Sequence, residues 1–463
     1  MTQQPLTTHD VNAHSRPPLP GTLALLLAST LSLTACATVD PTPDYDRAAA
    51  AIGEATGVED AYHPDEPYEP DVDALLAEGL DVDDAVRIAL LKSPQLHQQF
   101  ARIGIARADW VQSGLLQNPT VGMAVLLPVD GGRSLIEGAV AQQIADLWRI
   151  PLRREAAEHD VDAAVLATAR TAGQIAERVR EAYYEVLAAE ERIALAEADL
   201  DLVQQAYEAT QRAHEIGRAT ELEVRLARLR VLNTQASLAQ TRQDADRARQ
   251  ELAYAMSLDR RIDGVTLTSD WPTWQAPPDD ETLIAIARER RPDLRAAAHL
   301  AEARGVRIDL ERRGALPDLA LGAQLERPED AGADLLLGPA ISAEIPIFDQ
   351  NQAQVARAEY EQVIAQSTYQ QLHLRVGHEV RLAAQAARRS ALRMTRYADE
   401  ALAEAEASVA QARRAHDAGH IDRLTLIETR RTHLEAARAH LAVKLDTARA
   451  RIALKSALGG PRR

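Results

Sequence analysis

The feature that most constrains this chain is an unbroken heptad seam. From about Leu152 to Glu215, small and apolar residues fall at Val161, Val165, Thr168, Ala172, Ile175, Val179, Ala182, Val186, Ala189, Ile193, Ala196, Leu200, Val203, Tyr207 and Thr210. The steps alternate four and three, a 3.5-residue period that imposes a supercoiled seam between helices. About 60 residues at 1.5 Å rise make a rod of roughly 95 Å, far longer than a helix of an ordinary globular domain. Many seam positions are Ala, so neighbouring helices must approach closely. The rod ends in Arg212-Ala213-His214-Glu215-Ile216-Gly217, with Gly at the position that takes a left-handed C′ conformation. A second helix opens at Thr220 and repeats the pattern through Val224, Ala227, Val231, Thr234, Leu238, Thr241, Ala245, Ala248, Leu252 and Ala255. Leu222, Leu226 and Leu229 add a second stripe. Two stripes need neighbours on two sides, so oligomerisation is expected; the competing reading is a two-helix stalk within one chain.

The second half of the chain repeats the first. Ser93-Pro94-Gln95-Leu96 matches Arg291-Pro292-Asp293-Leu294 at an offset of 292 − 94 = 198, and Pro119 matches Pro317 at the same offset. Arg414-Ala415-His416-Asp417-Ala418-Gly419 restates the phrase that ends the first rod, at 419 − 217 = 202. The predicted organisation is a signal segment over 1–35, an acidic Pro-rich arm over 36–80, repeat 1 over 81–258, a linker over 259–280, repeat 2 over 281–459 and a tail over 460–463. Trp271 and Trp274 of the linker are expected to pack onto the rods, with ligand stacking the less favoured role. Helical hairpins are expected at about 152–256 and 352–457.

Between the helices the period changes from 3.5 to 2. Val121, Met123, Val125 and Leu127 alternate with Gly122, Ala124 and Leu126. After the turn at Pro128–Gly132, Ile136, Gly138, Val140 and Ile144 oppose Glu137, Ala139, Ala141 and Gln143. Leu319, Leu321, Ala323 and Leu325 oppose Ala320, Gly322, Gln324 and Glu326. After Pro328–Gly332, Leu335, Leu337, Ile341 and Ile345 oppose Gly338, Ala340, Ser342 and Glu344. These are two hairpins, with strands at about 119–127, 135–146, 317–326 and 334–347. Strands of about ten residues with one apolar and one small or polar face suit a membrane barrel. Pro339 within the fourth is tolerable at an edge or bulge. Four strands cannot close a barrel, and open edges do not survive in lipid. Three chains would supply twelve, enough to enclose a water-filled lumen.

Composition supports rods over a large core: Phe occurs twice, and the formal charge of −17 opposes phosphate binding, so no nucleic-acid partner is expected. The N-terminus carries Arg16 and an apolar run from Leu23 to Leu33, too short to span a bilayer. It ends in Leu33-Thr34-Ala35-Cys36, which resembles the bacterial lipobox. Cys36 is the single cysteine of the chain and thus the expected lipidation site, with a plain signal peptide as the alternative. Ala37 in place of Asp implies, by that resemblance, anchoring at the outer membrane. Some twenty residues, twelve of them polar, precede the apolar run, an unusual start that leaves initiation downstream of Met1 open. Asp40 to Asp73 is rich in Pro and acid and reads as an extended arm or linker.

The duplication, the hairpins after Asn118-Pro119 and Leu316-Pro317, and the paired Arg-Ala-His-(Glu/Asp)-x-Gly turns together resemble the TolC family of outer-membrane efflux proteins, over nearly everything from Leu80 to Gly459. The resemblance implies a mainly α fold with a small membrane β part: a long α-helical coiled-coil barrel, four β-strands per chain in two tandem structural repeats, and a trimer forming a 12-stranded β-barrel. It implies a passive duct for small molecules or metal ions, working with a periplasmic adaptor (membrane fusion) protein and an inner-membrane transporter of RND type. The helix-hairpin turns would dock the adaptor: Gly217, Arg218, Ala219 and Thr220, and Gly419, His420, Ile421 and Asp422. Glu223 and Glu428 are candidates for an acidic periplasmic constriction, whose like charges would repel around a three-fold axis and favour cations. Thr425 stands where some relatives carry an acid, and solvated helix positions are the plain reading of both glutamates.

Enzymatic signals are absent. The 13 His show neither HExxH nor another metal-ligand spacing, and there is no Walker or GxSxG motif. No cofactor, catalytic residue or metal site is expected, and His214 and His416 are read as solvated helix-end residues. Two alternatives remain: the same duct serving type I protein secretion, and a lipid-anchored periplasmic coiled-coil scaffold without a pore. The region Ser113–Pro119 looks like the heavy-metal branch, with drug efflux close behind.

Overall fold

The computed structural model describes residues 37–58, 62–65, 72–127, 129, 134–273, 276–327 and 334–461. Residues 37–40 carry no regular structure, and the main body begins at Pro41. Its elements are α1 (Thr42–Thr56), α2 (Val72–Glu78), α3 (Val82–Lys92), α4 (Pro94–Ser113), β1 (Thr120–Leu126), β2 (Leu135–Gln143), α5 (Asp146–Glu215) and α6 (Glu221–Ala255). The second half supplies α7 (Asp280–Arg290), α8 (Pro292–Gly314), β3 (Asp318–Arg327), β4 (Leu336–Glu344), α9 (Gln352–Arg393), a π-turn (Met394–Ala398), α10 (Asp399–Asp417) and α11 (Arg423–Ala457). The fold is thus mainly helical with one small sheet.

α5 is a single helix of 70 residues that buries Val161, Val165, Thr168, Ala172, Ile175, Val179, Val186, Ala189, Ala196 and Val203 along its seam. It starts at Asp146, six residues before the expected start, with Pro151 inside its opening turns. Pro151 is its sixth residue, so it removes one backbone hydrogen bond, to the Leu147 carbonyl, close to the start of a 70-residue helix. Asp146 sets the start: its buried carboxylate accepts from the Gln117 N–H at 3.1 Å and from Arg153 at 2.8 Å. The corresponding rod of repeat 2, α9 and α10, is less regular because the π-turn at Met394–Ala398 interrupts its α-helical ladder and shifts the seam's phase.

The acidic segment read as an extended arm holds a 15-residue helix, α1. Its prolines do not prevent this: Pro41 is the N-cap and Pro43 lies in the first turn, where an N–H has no partner to lose. The Ala48–Ala51 run then favours helix, and Tyr45, Ala48 and Ile52 are buried in the main hydrophobic cluster with Leu80, Phe100, Tyr183 and Leu252. Asp44, fully buried, is held by Arg107 and by Arg47. The linker also joins this core. Leu80 exchanges hydrogen bonds with Thr266 and Thr268, and the buried Tyr183 hydroxyl donates to Leu80 O and accepts from Ser269 N, each at 2.9 Å. Trp271 stacks on Tyr184 and donates to Glu191, so it packs on the rod; Trp274 lies outside the described residues.

The four strands form one antiparallel sheet in the order β1-β2-β3-β4. β2 and β3 join the two repeats, from Ile136↔Arg327 to Gln143↔Ala320. Register places Val121, Met123 and Val125 opposite Val140, Gly138 and Ile136, and Leu321 and Leu325 opposite Ile341 and Leu337, all on one face. Gly122, Ala124, Ala139, Ala141, Gly322, Gln324, Glu326, Ala340, Ser342 and Glu344 share the other. The apolar face is uncovered: Met123 is 80% and Ile341 75% exposed. Pro339 sits in β4, an outer strand of the sheet.

Candidate functional site at the hairpin tips

The two turns that reverse the rods have the same backbone. At the first, Gly217 N–H donates to His214 O at 2.9 Å and Arg218 N–H to Ala213 O at 2.7 Å. At the second, Gly419 N–H donates to His416 O at 2.9 Å and His420 N–H to Ala415 O at 2.8 Å. Both are Schellman closures, which satisfy the last carbonyls of a helix and require a left-handed residue. Gly217 and Gly419 have φ of +73° and +75°, and nothing lies within 4 Å of a Cβ built on either. The glycines therefore serve backbone conformation, not space. Gly217→Ala or Gly419→Ala is expected to cost about 1–2 kcal/mol, with Asn milder, measured as a lower unfolding midpoint of the full chain. An alanine variant as stable as the parent would contradict this reading.

Both tips lie at one end of the body. α11 runs antiparallel to α5, joined by Asp199–Arg431, Asp199–Arg438, Glu191–Lys444 and Glu185–Arg449. Partner numbers add to 630 for the first pair and 634 for the last, which sets Gly419 level with about residue 215. Leu202 packs with Ile427 and Leu434 across the same contact. Burial pushes the Asp199 carboxyl up, but Arg438 and Arg431 outweigh it and hold it below its ordinary value.

The helices that leave the tips begin with different chemistry. Thr220 and Glu223 form a reciprocal capping box: Thr220 Oγ1 accepts from Glu223 N–H, and Glu223 Oε2 accepts from Thr220 N–H at 2.6 Å and from its hydroxyl at 2.9 Å. In the second copy Asp422 is the cap and accepts from Thr425 N–H at 2.8 Å. The offset of 202 pairs Thr220 with Asp422 and Glu223 with Thr425, so the acid has moved from the third helical position to the cap itself. Each tip keeps one capping carboxylate. The Thr220 backbone and hydroxyl hold Glu223 below its ordinary pKa, and the Thr425 hydroxyl and N–H do the same for Asp422, so both are ionised at neutral pH.

By the 202-residue offset Glu428 is not the match of Glu223. Glu428 occupies the place of Leu226, lies one turn further along α11, and sits 3.8 Å from Arg431. Glu223 and Asp422 are the carboxylates that cap the helices leaving the two tips. Arg218, Thr220, His420 and Asp422 are exposed, and Ala219 and Ile421 half-buried. His214 donates through Nδ1 to Ala219 O at 2.8 Å, closing its turn from within. Cys36 lies outside the described residues.

The outer membrane efflux protein family model matches residues 139–257 and 283–460, covering both helical hairpins, the end of β2 and all of β3 and β4. The chain belongs to that family. It is an outer-membrane efflux channel, and its family is one of ducts and not of enzymes. The cobalt-zinc-cadmium resistance protein CzcC of Cupriavidus metallidurans is 24% identical over 310 residues, 66% of this chain and 73% of CzcC. Among solved structures, CusC aligns with a TM-score of 0.68 at 19% identity, over 83% of this chain and 93% of its own. The outer-membrane channel OprN aligns with a TM-score of 0.67 at 21% identity, over 88% and 95%. The outer membrane protein VceC of Vibrio cholerae aligns at 0.64 and 19%, over 82% and 96%. These likenesses carry the fold. No described helix is long and apolar enough to cross a membrane.

Proposed function

We propose that three copies of the chain close a twelve-stranded β-barrel continued by a helical tube, and that this trimer is a passive, non-enzymatic exit duct for metal ions. The carrying observation is the sheet. One chain presents four strands with outer edges at β1 and β4, one face apolar apart from Gln142 and Arg327 at its margins and largely exposed, the other mostly small and polar. In hydrocarbon an open edge leaves each unpaired backbone group several kcal/mol short of its partner, so β4 of one copy must meet β1 of the next. The apolar face would then meet lipid, and Glu137, Gln324, Ser342 and Glu344 would line water. The rods need neighbours in the same way. Leu222, Leu226, Leu229 and Leu232 on α6, and Tyr360, Val363 and Ile364 on α9, are exposed in the single chain. Sister copies would cover them.

On this reading the tips, Gly217–Thr220 and Gly419–Asp422, dock a periplasmic adaptor that links the duct to an inner-membrane transporter of RND type. Glu223 and Asp422, with Glu428 a turn behind, form the acidic periplasmic entrance, where ionised carboxylates favour cations. Cys36 bears the lipid anchor. Likeness to CzcC favours cobalt, zinc or cadmium over drugs or a secreted protein as cargo.

Two measurements test the reading. Detergent-extracted protein is expected to run as a heat-labile trimer and to conduct ions in planar bilayers. A monomer that stays in solution without detergent would rule out the barrel. A deletion strain is expected to become sensitive to cobalt, zinc or cadmium and to regain resistance with the gene. Sensitivity to drugs alone would overturn the metal assignment and leave the duct intact.

A further inference from the structure

We propose that His159, His299, Glu302 and Asp162 form a binding site for a divalent transition-metal ion of the zinc class, clamping the first rod of repeat 1 to the opening helices of repeat 2. The two histidines come from helices 140 residues apart, α5 and α8, and their Nδ1 atoms are 3.3 Å apart. Glu302 Oε2 lies 3.4 Å from His159 Nδ1 and 3.7 Å from His299 Nδ1, and Asp162 Oδ2 lies 3.7 Å from His299 Nδ1. The ligand atoms of His159, Asp162 and His299 all fall within 4.8 Å of one another.

Those lengths match one geometry. Zinc–nitrogen bonds of about 2.0–2.1 Å and zinc–oxygen bonds of about 2.0–2.2 Å give a tetrahedron with edges of about 3.3–3.5 Å. Four of the six edges lie between 3.3 and 3.7 Å and need at most a few tenths of an ångström of contraction, and the His159–Asp162 edge lies within 4.8 Å. Hydrogen bonding explains the cluster less completely. When both rings are neutral, at most one proton lies between the two Nδ1 atoms, and two carboxylates crowd the same point. A cation satisfies both nitrogen lone pairs and both carboxylates at once.

The local sequence supports the same arrangement twice. His159-x-x-Asp162 on α5 and His299-x-x-Glu302 on α8 each place a histidine and an acid one turn apart on one helix face. Paired helices in bundle metal sites use an acid and a histidine at this spacing. Asp162 is oriented by Arg47 of α1, which binds its other oxygen, Oδ1, as outer-shell partners orient metal ligands. Imidazole with carboxylate selects zinc, cobalt or nickel over calcium or magnesium. The site is half-buried, lies in the helical body beyond the sheet, and does not depend on what the duct exports.

The test uses the full-length trimer in detergent, stripped with chelator, loaded with zinc and desalted. One tightly held zinc per chain is expected, with a raised unfolding midpoint, since an ion that binds only the folded state stabilises it. His159→Gln combined with His299→Gln is expected to lose that equivalent and the rise, and Glu302→Gln to weaken binding at least tenfold. Equal zinc content in the parent and the double variant, or no retained zinc in the parent, would overturn the proposal. Should the double variant fail to assemble, cobalt(II) on the parent decides: the intense visible bands of a four-coordinate ion support the site, and weak six-coordinate bands alone overturn it. Cargo in transit leaves no stoichiometric ion after desalting, so failure here is distinguishable from failure of the metal-export reading.

Discussion

Gly322→Val is expected to abolish the assembled channel. A Cβ built on Gly322 falls 2.1 Å from the Val140 carbonyl oxygen and 3.0 Å from Ala141 Cα. The obstructing atoms are backbone of β2, so no rotamer change relieves the clash. The clash lies in the β2–β3 ladder, the one place where the strand pairs of the two repeats meet among the described residues. Overpacking between side chains costs about 1–3 kcal/mol; here the strands themselves must part, and each backbone pair lost in lipid adds several more. Loss of the heat-labile trimer and of bilayer conductance is the expected readout. Gly138→Ala is the control. Its Cβ would meet Leu325 at 3.7 Å, an ordinary contact, and assembly should survive. A Gly322→Val protein that conducts like the parent would refute the sheet register.

The second large effect is expected from Asp293→Ala. Arg291 is almost wholly buried at the junction of α7 and α8, gripped by both oxygens of Asp293 and by Glu379 of α9. Arg170 of α5 approaches the same carboxylate at 3.6 Å. Removing Asp293 leaves a buried guanidinium with one acid, and breaking such a pair costs about 3–5 kcal/mol. Burial pushes the Asp293 carboxyl up, but the hydrogen bonds and charge of Arg291, with Arg170 behind, hold it below the ordinary value. A carboxyl with a depressed folded pKa contributes stability that is complete above its unfolded pKa of about 3.9 and is lost as pH falls through the lower folded value. The parent's unfolding midpoint should therefore drop as acidity rises below about pH 4. Part of that slope should be missing in Asp293→Ala. Identical acid profiles would show that this pair contributes no stability to the folded chain.

Much of this molecule is legible in its residues because two mechanisms are local. The four-and-three spacing from Val161 to Thr210 dictates a seam, and the alternation Leu319-Ala320-Leu321-Gly322-Ala323-Gln324-Leu325-Glu326 dictates a strand with unlike faces. The recurring Arg-Ala-His phrase dictates two like turns, since the left-handed residue that a Schellman closure needs is cheapest as Gly. The N-terminal segment defeated the same approach. Its prolines read as extended chain, yet Pro41 and Pro43 stand at a helix start, where Pro is harmless. The tips were legible as turns, while the structure shows that Glu223 caps its helix from the third position and Asp422 from the cap itself.

The amino-acid sequence alone determined the periods, the duplication and the turn geometry, because each depends on residues within a few positions of one another. Tertiary structure alone decided that β2 pairs with β3, that Asp199 lies between Arg431 and Arg438, and that His159 faces His299 across 140 residues. Those contacts depend on how rods of similar composition slide and rotate against each other. A heptad repeat specifies that a seam exists, while the choice among its registers is made by the sum of close-packed contacts and buried ion pairs along the whole interface.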